Sequence, residues 1–140
     1  MILIDSNVII DIIECDPVWL EWSYDQVATA GAFGPVAINS VVVAETAPSC
    51  GSLEVFTDAI KEMGISFEPI CQHSAYQAGV AFLKYRARRL PVKAKSIIAD
   101  FLIGGHAHTL GATILTRDPR FYRTYFPSVP LVTPSEDSND

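Results

Sequence analysis

The sequence predicts an α/β sandwich with a mostly parallel central sheet. Short apolar runs, Ile2–Ile4, Val36–Ile38 and Thr113–Leu115, alternate with helical stretches punctuated by Gly and Pro. That is the order expected of strands joined by helical crossovers. Two of the runs also stop on or near a carboxylate, Asp5 and Asp118. A buried strand that ends at a polar mouth has this pattern. In open α/β sheets such mouths lie at the carboxyl ends of the strands, near a topological switch point.

Strand one is Ile2–Ile4, an apolar run before Asp5. A short helix, Asn7–Glu14, follows, with Ser6 placed to cap it. Pro17 is set to open a second helix reaching about Thr29, because Pro suits the first helical position; Gly31 and Gly34 end it. Val36–Ile38 is strand two. Ser40 is placed to cap a helix through Thr46, which Pro48 stops. Ser52–Met63 is helical with Gly64 as its stop, and Ser66–Glu68 is a short strand. Ser74 to Arg89 is a long amphipathic helix with Ala75, Ala78, Phe82 and Tyr85 along one stripe; Leu90-Pro91 breaks it. Ser96–Leu110 is another helix, ended by Gly111. Thr113–Leu115 and Pro130–Val132 are the last strands.

At 140 residues the chain is expected to form one domain over residues 1–134, followed by a polar, acidic tail at 135–140. Hydrophobic content of 49% is ordinary for a globular protein with a real core. No stretch approaches the roughly 18 apolar residues of a membrane span. The N-terminus has no basic leader, and Asp5 and Asp11 interrupt its apolar run, so a signal peptide is not expected and the chain reads as cytoplasmic. Cys15, Cys50 and Cys71 have no metal or redox spacing and read as reduced and mostly buried.

Charge is unevenly placed. The formal net charge is −6, and residues 1–60 hold nine acids and no Lys or Arg. Six of the ten basic residues fall in Lys84–Lys95 (Lys84, Arg86, Arg88, Arg89, Lys93 and Lys95), and three more are Arg117, Arg120 and Arg123. Both clusters adjoin an acid of interest, Asp100 or Asp118. An acidic pocket with a basic margin suits a phosphodiester substrate. The plainer account of Lys84–Lys95 is a solvated helix face.

Two further acids interrupt apolar helical stretches: Glu45 after Val41-Val-Val-Ala and Asp100 within Ile97-Ile-Ala-Asp-Phe-Leu-Ile. Burying an unpaired carboxylate is costly. Singly, each has an ordinary explanation: Asp5 as a helix cap, Glu45 on an exposed face, Asp118-Pro119 starting a turn. Asp11, Glu14 and Asp16 read as solvated helix-face or turn acids. Jointly, Asp5, Glu45, Asp100 and Asp118 point to a hard divalent ion, since Mg²⁺ and Mn²⁺ prefer oxygen ligands. Ser6, Asn7 and Thr116 stand beside them and can orient carboxylates or a bound water. His106 and His108, two apart on a helix, face different ways and make a poor zinc pair. Gly104-Gly105 follows no strand and reads as a close helix-packing point. The turn after strand one lacks the Gly-x-Gly-x-x-Gly of dinucleotide folds, and Asn7 stands where a haloacid dehalogenase-type hydrolase would carry a second Asp.

Four segments together resemble a known family: Ile4-Asp5-Ser-Asn-Val-Ile9, Ser40-Val-Val-Val-Ala-Glu45, Ala99-Asp-Phe-Leu-Ile-Gly-Gly-His-Ala107 and Leu115-Thr-Arg-Asp-Pro-Arg-Phe121. In order and spacing the chain resembles a PIN domain from residue 1 to about 132, and specifically the VapC toxins of toxin–antitoxin pairs. The resemblance implies a three-layer α/β/α fold and a Mg²⁺- or Mn²⁺-dependent endoribonuclease with Asp5, Glu45, Asp100 and Asp118 as its acidic quartet. It also implies a cognate VapB-type antitoxin and a homodimer. Gly105 departs from the more usual Ala. On this reading Arg86, Arg88, Arg89, Lys93, Lys95 and Arg117 position an RNA backbone, and a structured RNA such as a tRNA loop is a reasonable target. The alternatives are a non-catalytic PIN-like module that binds RNA or protein, a DNA nuclease, and a small-molecule phosphatase.

Overall fold

The computed structural model describes residues 1–87 and 97–135. Five strands form one sheet: β1 (Ile2–Ile4), β2 (Val36–Ile38), β3 (Ser66–Phe67), β4 (Thr113–Leu115) and β5 (Leu131–Val132). Their order is β3-β2-β1-β4-β5, and every pairing is parallel. Ile2 stands opposite both Val36 and Thr113, so β1 is central. Leu3, Ile4, Ala37, Ile38, Ile114 and Leu115 are buried, as a strand covered on both faces requires.

The helices are α1 (Ser6–Ile13), α2 (Leu20–Phe33), α3 (Ser40–Thr46), α4 (Leu53–Glu62), α5 (Gln72–Ala87), α6 (Ile97–Leu110) and α7 (Arg120–Tyr125). For parallel strands in this order the right-handed crossover rule puts α1–α4 on one face and α5–α7 on the other, which makes three layers. The strand order reverses direction between β1 and β4, so the switch point lies at their carboxyl ends.

Several local expectations need correction. Asp5, not Ser6, caps α1: its Oδ1 accepts from the Ser6 amide at 2.7 Å. Asn39, not Ser40, caps α3, accepting from the amides of Val41 and Val42. Pro17 does not open α2. Asp16 Oδ1 accepts from the amides of Val18 and Trp19, which holds that segment as a turn, and the helix starts at Leu20. It then runs through Gly31 to Phe33 before Gly34 ends it. α7 is a helix beyond those expected from the sequence. Cys15 and Cys71 are exposed rather than buried, and all three thiols are free. The Cys71 sulfur accepts from the Ser74 amide at the start of α5. On α5 the buried residues are Ser74, Ala78, Ala81 and Tyr85, while Ala75 faces solvent. The expected Leu90-Pro91 break, the Ser96 helix start and tail residues 136–140 lie outside the described residues. Among the described residues no helix is long and apolar enough to cross a membrane.

Two contacts fix α6. Phe101 lies in an aromatic cluster with Phe82, Tyr85, Phe121, Tyr125 and Phe126, its ring centroid 4.7 Å from that of Phe121. This anchors the turn that carries Asp100. Further along, Gly105 meets α5 backbone to backbone. A Cβ there would sit 2.8 Å from the Ala78 nitrogen and 2.9 Å from the Ser74 carbonyl oxygen. The departure from Ala therefore has a steric cause, and Gly104-Gly105 is a helix-packing point as expected. Gly105→Ala is expected to destabilise the fold by about 1–3 kcal/mol through overpacking. That loss outweighs the roughly 1 kcal/mol by which Ala favours a helix. Urea unfolding reads it; a midpoint unchanged or raised would show that α5 and α6 separate without cost.

Candidate metal and nucleic-acid site

Four elements bring the acids together. Asp5 ends β1, its amide bonded to the Leu115 carbonyl of β4 at 2.9 Å. Glu45 lies near the end of α3, Asp100 in the first turn of α6, and Asp118 just after β4. All four line one cavity of about 210 Å³ at the switch point. Ser6 and Asn7 share its walls, and Ile10, Phe121 and Tyr122 complete them.

Hydrogen bonds hold this arrangement from one side. Asp5 Oδ2 accepts from Thr116 Oγ1 at 2.8 Å and from the Tyr122 hydroxyl at 3.0 Å. Ser6 Oγ donates to Glu45 Oε1 at 2.8 Å, tying the start of α1 to α3. Asn7 Nδ2 donates to Thr116 Oγ1 at 3.2 Å, and Asn7 Oδ1 accepts from the Arg117 amide at 3.1 Å. Ser6, Asn7 and Thr116 thus orient the carboxylates or their neighbours. Tyr122 is not among the site residues expected from the sequence, because no helix is expected over residues 120–125. The spacing of Phe121, Tyr122, Tyr125 and Phe126 is helical and was the available signal.

The cavity is electrostatically strained. Burial pushes the Asp100 carboxyl up to about 7, and the charges of Asp5, Glu45 and Asp118 push in the same direction. Burial also raises Asp5; the hydrogen bonds from Thr116, Tyr122 and Ser6 oppose this, and Glu45 adds to it. Burial, then the Asp5 and Asp100 charges, hold the Tyr122 hydroxyl well above its ordinary range, so it remains a donor. Among the described residues no cation pairs with these acids.

The family model for the PIN domain matches residues 2–127. The chain belongs to the PIN domain family. Its fold is similar to that of VapBC2 from Rickettsia felis, solved bound to a DNA fragment from their promoter, at TM-score 0.73 and 18% identity, covering 96% of this chain and 100% of that one. It is also similar to a toxin–antitoxin complex from Klebsiella pneumoniae (TM-score 0.65, 18% identity, 97% of this chain and 99% of that one). VapBC-1 from nontypeable Haemophilus influenzae gives TM-score 0.67 at 16% identity, with 95% and 98% covered. At these identities the likeness is one of fold. No curated protein matches the sequence.

The donor set of this PIN domain fits a hard divalent ion that keeps part of its water. Asp5 Oδ2 accepts from two hydroxyl donors, whereas Oδ1 accepts only from the Ser6 amide and keeps a lone pair that could ligate an ion. Glu45 Oε1 is held by Ser6, which leaves Oε2. Among the described residues no three His, Cys, Asp or Glu side chains form a ready coordination shell. Mg²⁺ tolerates that, because it usually retains several waters and takes only one or two carboxylates directly.

The basic residues divide. Arg117 does not present a free guanidinium to a substrate. It pairs with Asp11 through Nε at 2.6 Å and Nη2 at 2.8 Å, and lies 5.1 Å from the Trp19 ring centroid. Asp11 is 1% exposed and also accepts from Ser23 Oγ at 2.7 Å, which corrects its reading as a solvated acid. Arg86 is exposed on the last turn of α5. Arg88, Arg89, Lys93 and Lys95 lie outside the described residues.

His106 links the helices that carry Asp100 and Glu45. It is buried on α6, and its Nδ1 accepts from Asn39 Nδ2 at 3.2 Å while Asn39 caps α3. His108 is exposed, so the two histidines diverge as expected. Burial lowers the His106 pKa, opposed by the Glu68 charge and the Pro69 backbone. A depressed imidazole contributes stability that is present above its unfolded value of about 6.5 and lost as pH falls through the folded one. His106→Leu is expected to cost about 1–3 kcal/mol at neutral pH by orphaning the Asn39 amide. The variant should also lose the part of the acid destabilisation that begins below about pH 6.5. Melting curves across pH read both effects; parallel curves for variant and parent would contradict the neutral-imidazole bridge.

Proposed function

We propose that this PIN domain is a Mg²⁺- or Mn²⁺-dependent endoribonuclease and the toxin of a toxin–antitoxin pair. The observation that supports the reading best is the cavity itself. Four carboxylates from β1, α3, α6 and the end of β4 share one wall system, and among the described residues no cation pairs with them. An ion bound there would supply positive charge at the scissile phosphate and a more acidic water. The chain's own residues do the rest. Asp5 Oδ1, Asp100 and Asp118 would hold the ion, with Thr116 and Tyr122 fixing the Asp5 rotamer. Glu45, steadied by Ser6, either joins them or orients the attacking water through its free Oε2. Phe121 and Ile10 keep one wall of the site apolar, which strengthens charge interactions inside it.

The VapBC likeness supports a VapB-type antitoxin as protein partner; the substrate of the same reading is an RNA, such as a tRNA loop, in the cytoplasm. An apolar cleft of about 500 Å³ between α1, α2 and α4, lined by Ile12, Ile13, Tyr24, Val27 and Met63, suits an amphipathic helix of such a partner. The homodimer belongs to the same reading. It is supported by the exposed Tyr76 and Leu83, which with Val80 make an apolar stripe on α5.

The test is cleavage of a total-RNA and tRNA panel with Mg²⁺, Mn²⁺ or EDTA, beside Asp5→Asn and Asp100→Asn. Discrete fragments that need metal and vanish in both variants are expected. The second reading is a non-catalytic RNA- or protein-binding module. The incomplete coordination shell among the described residues favours it. RNA binding without cleavage, in a sample free of antitoxin, would establish it.

A further inference from the structure

A second cavity, of about 390 Å³, opens beside the acidic one. Its walls include Arg117, Asp118, Arg120, Arg123, Thr133 and Pro134. Asp118 lines both cavities, so the two are neighbours. The charges nevertheless change sign across that one residue. On the acidic side stand Asp5, Glu45 and Asp100; on the other, three guanidiniums.

Those guanidiniums are not equivalent. Arg117 is locked to Asp11 and closes a wall. Arg120 and Arg123 are exposed, three residues apart on α7, and so lie on the same side of that helix. Neither has a carboxylate partner among the described residues. The rigid aromatic residues of the same helix, Phe121 and Tyr125, are packed in the cluster around Phe101. The arginines are therefore carried on a fixed platform whose next residues, Phe121 and Tyr122, form the wall of the acidic cavity.

We propose that this cavity is a phosphate subsite. Resting on the nuclease reading, it assigns Arg120 and Arg123 to a backbone phosphate of the RNA next to the one cut. Two paired guanidiniums match the planar, multidentate geometry a phosphate offers better than one flexible cation does. An oxyanion held there offsets the repulsion that the acidic cavity exerts on a polyanion arriving without metal. The preferred substrate is accordingly an internal linkage, with a phosphate beside the scissile one, rather than an isolated phosphoester. Contact to phosphate positions the strand without reading its sequence.

The test compares the full chain with the Arg120→Gln/Arg123→Gln pair and the Arg120→Lys/Arg123→Lys pair. Binding of a short, unstructured, labelled RNA is titrated over a range of salt in an Asp100→Asn background, in Mg²⁺ buffer. Cleavage of the same RNA is followed with Asp100 intact. Loss of that one phosphate contact should make the log–log salt slope shallower by about 0.7, the value for a single-strand phosphate. Binding should weaken roughly tenfold at low salt, with the loss in cleavage falling on KM. The Lys pair should keep the slope. A Gln pair with the parental slope overturns the subsite and leaves the nuclease reading standing. A parent that neither binds nor cleaves RNA removes both. A Gln pair that binds RNA normally but no longer binds antitoxin gives the surface to the protein partner and overturns the proposal.

Discussion

Asp100→Asn is expected to abolish metal-dependent RNA cleavage while making the metal-free protein more stable at neutral pH. The two effects have one cause. Asp100 is crowded by Asp5, Glu45 and Asp118 and partly buried, and its carboxyl is pushed up to about 7. A carboxyl raised in the fold stays protonated where the unfolded chain has already ionised. Its favourable contribution is complete below the unfolded value near 3.8 and is lost as pH rises through about 7. Asn carries no such penalty. In EDTA the variant should therefore melt above the parent, with a gap that opens between about pH 4 and 7 and then levels. With metal the order reverses, because the parent gains a ligand and the variant does not. Outer partners of metal ligands cost roughly 10–100-fold when removed. A direct ligand should exceed that, so a loss in cleavage of at least about 100-fold is expected. A variant less stable than the parent in EDTA at pH 8 would show that Asp100 is held by a partner rather than repelled.

Arg117→Ala is expected to cost about 3 kcal/mol of folding stability. Asp11 is buried, and Arg117 supplies its only cationic partner among the described residues through two short bonds. Removing one partner of a buried pair typically costs 3–5 kcal/mol, because the remaining charge is stranded. The lower end applies here, since the Arg117 side chain is 28% exposed and Ser23 still donates to Asp11. Asp11→Ala alone should cost less, because Arg117 can turn to water. The double variant should recover part of the loss, giving a coupling of about 2 kcal/mol. RNA affinity, measured well below the melting temperature, separates this from the expectation that Arg117 grips the RNA backbone. A variant that folds normally yet binds RNA poorly would restore that expectation.

The sheet was legible because its strands are short apolar runs, and alternation with helices left few topologies. The acids were legible for a related reason: Asp5, Glu45 and Asp100 interrupt segments that otherwise form core. The fold showed that the four share a cavity, which spacing alone does not establish. What stayed hidden depends on long-range partners. Asp11 looks like any acid on a short helix until Arg117, 106 residues away, is placed beside it. Tyr122 follows an Asp-Pro that reads as a turn, and its hydroxyl finds Asp5 only once β1 and β4 are adjacent. Pro17 obeys the rule for a first helical position, yet the Asp16 carboxylate captures the next two free amides and delays the helix to Leu20. Gly105 reads as a departure from pattern until the Ala78 backbone is seen beneath it.

The central claim is that the four carboxylates act as one site for a divalent ion, and metal-dependent melting of EDTA-stripped protein tests it most directly. Millimolar Mn²⁺ or Mg²⁺ should raise the melting temperature of the parent, since an ion bound only by the folded state stabilises by about 2.7 kcal/mol at 100 times its Kd. The rise should vanish in Asp5→Asn and Asp100→Asn and survive in Arg120→Gln/Arg123→Gln. A parent that melts at the same temperature with and without metal would contradict the shared site. So would a rise that persists when Asp5 and Asp100 are both replaced.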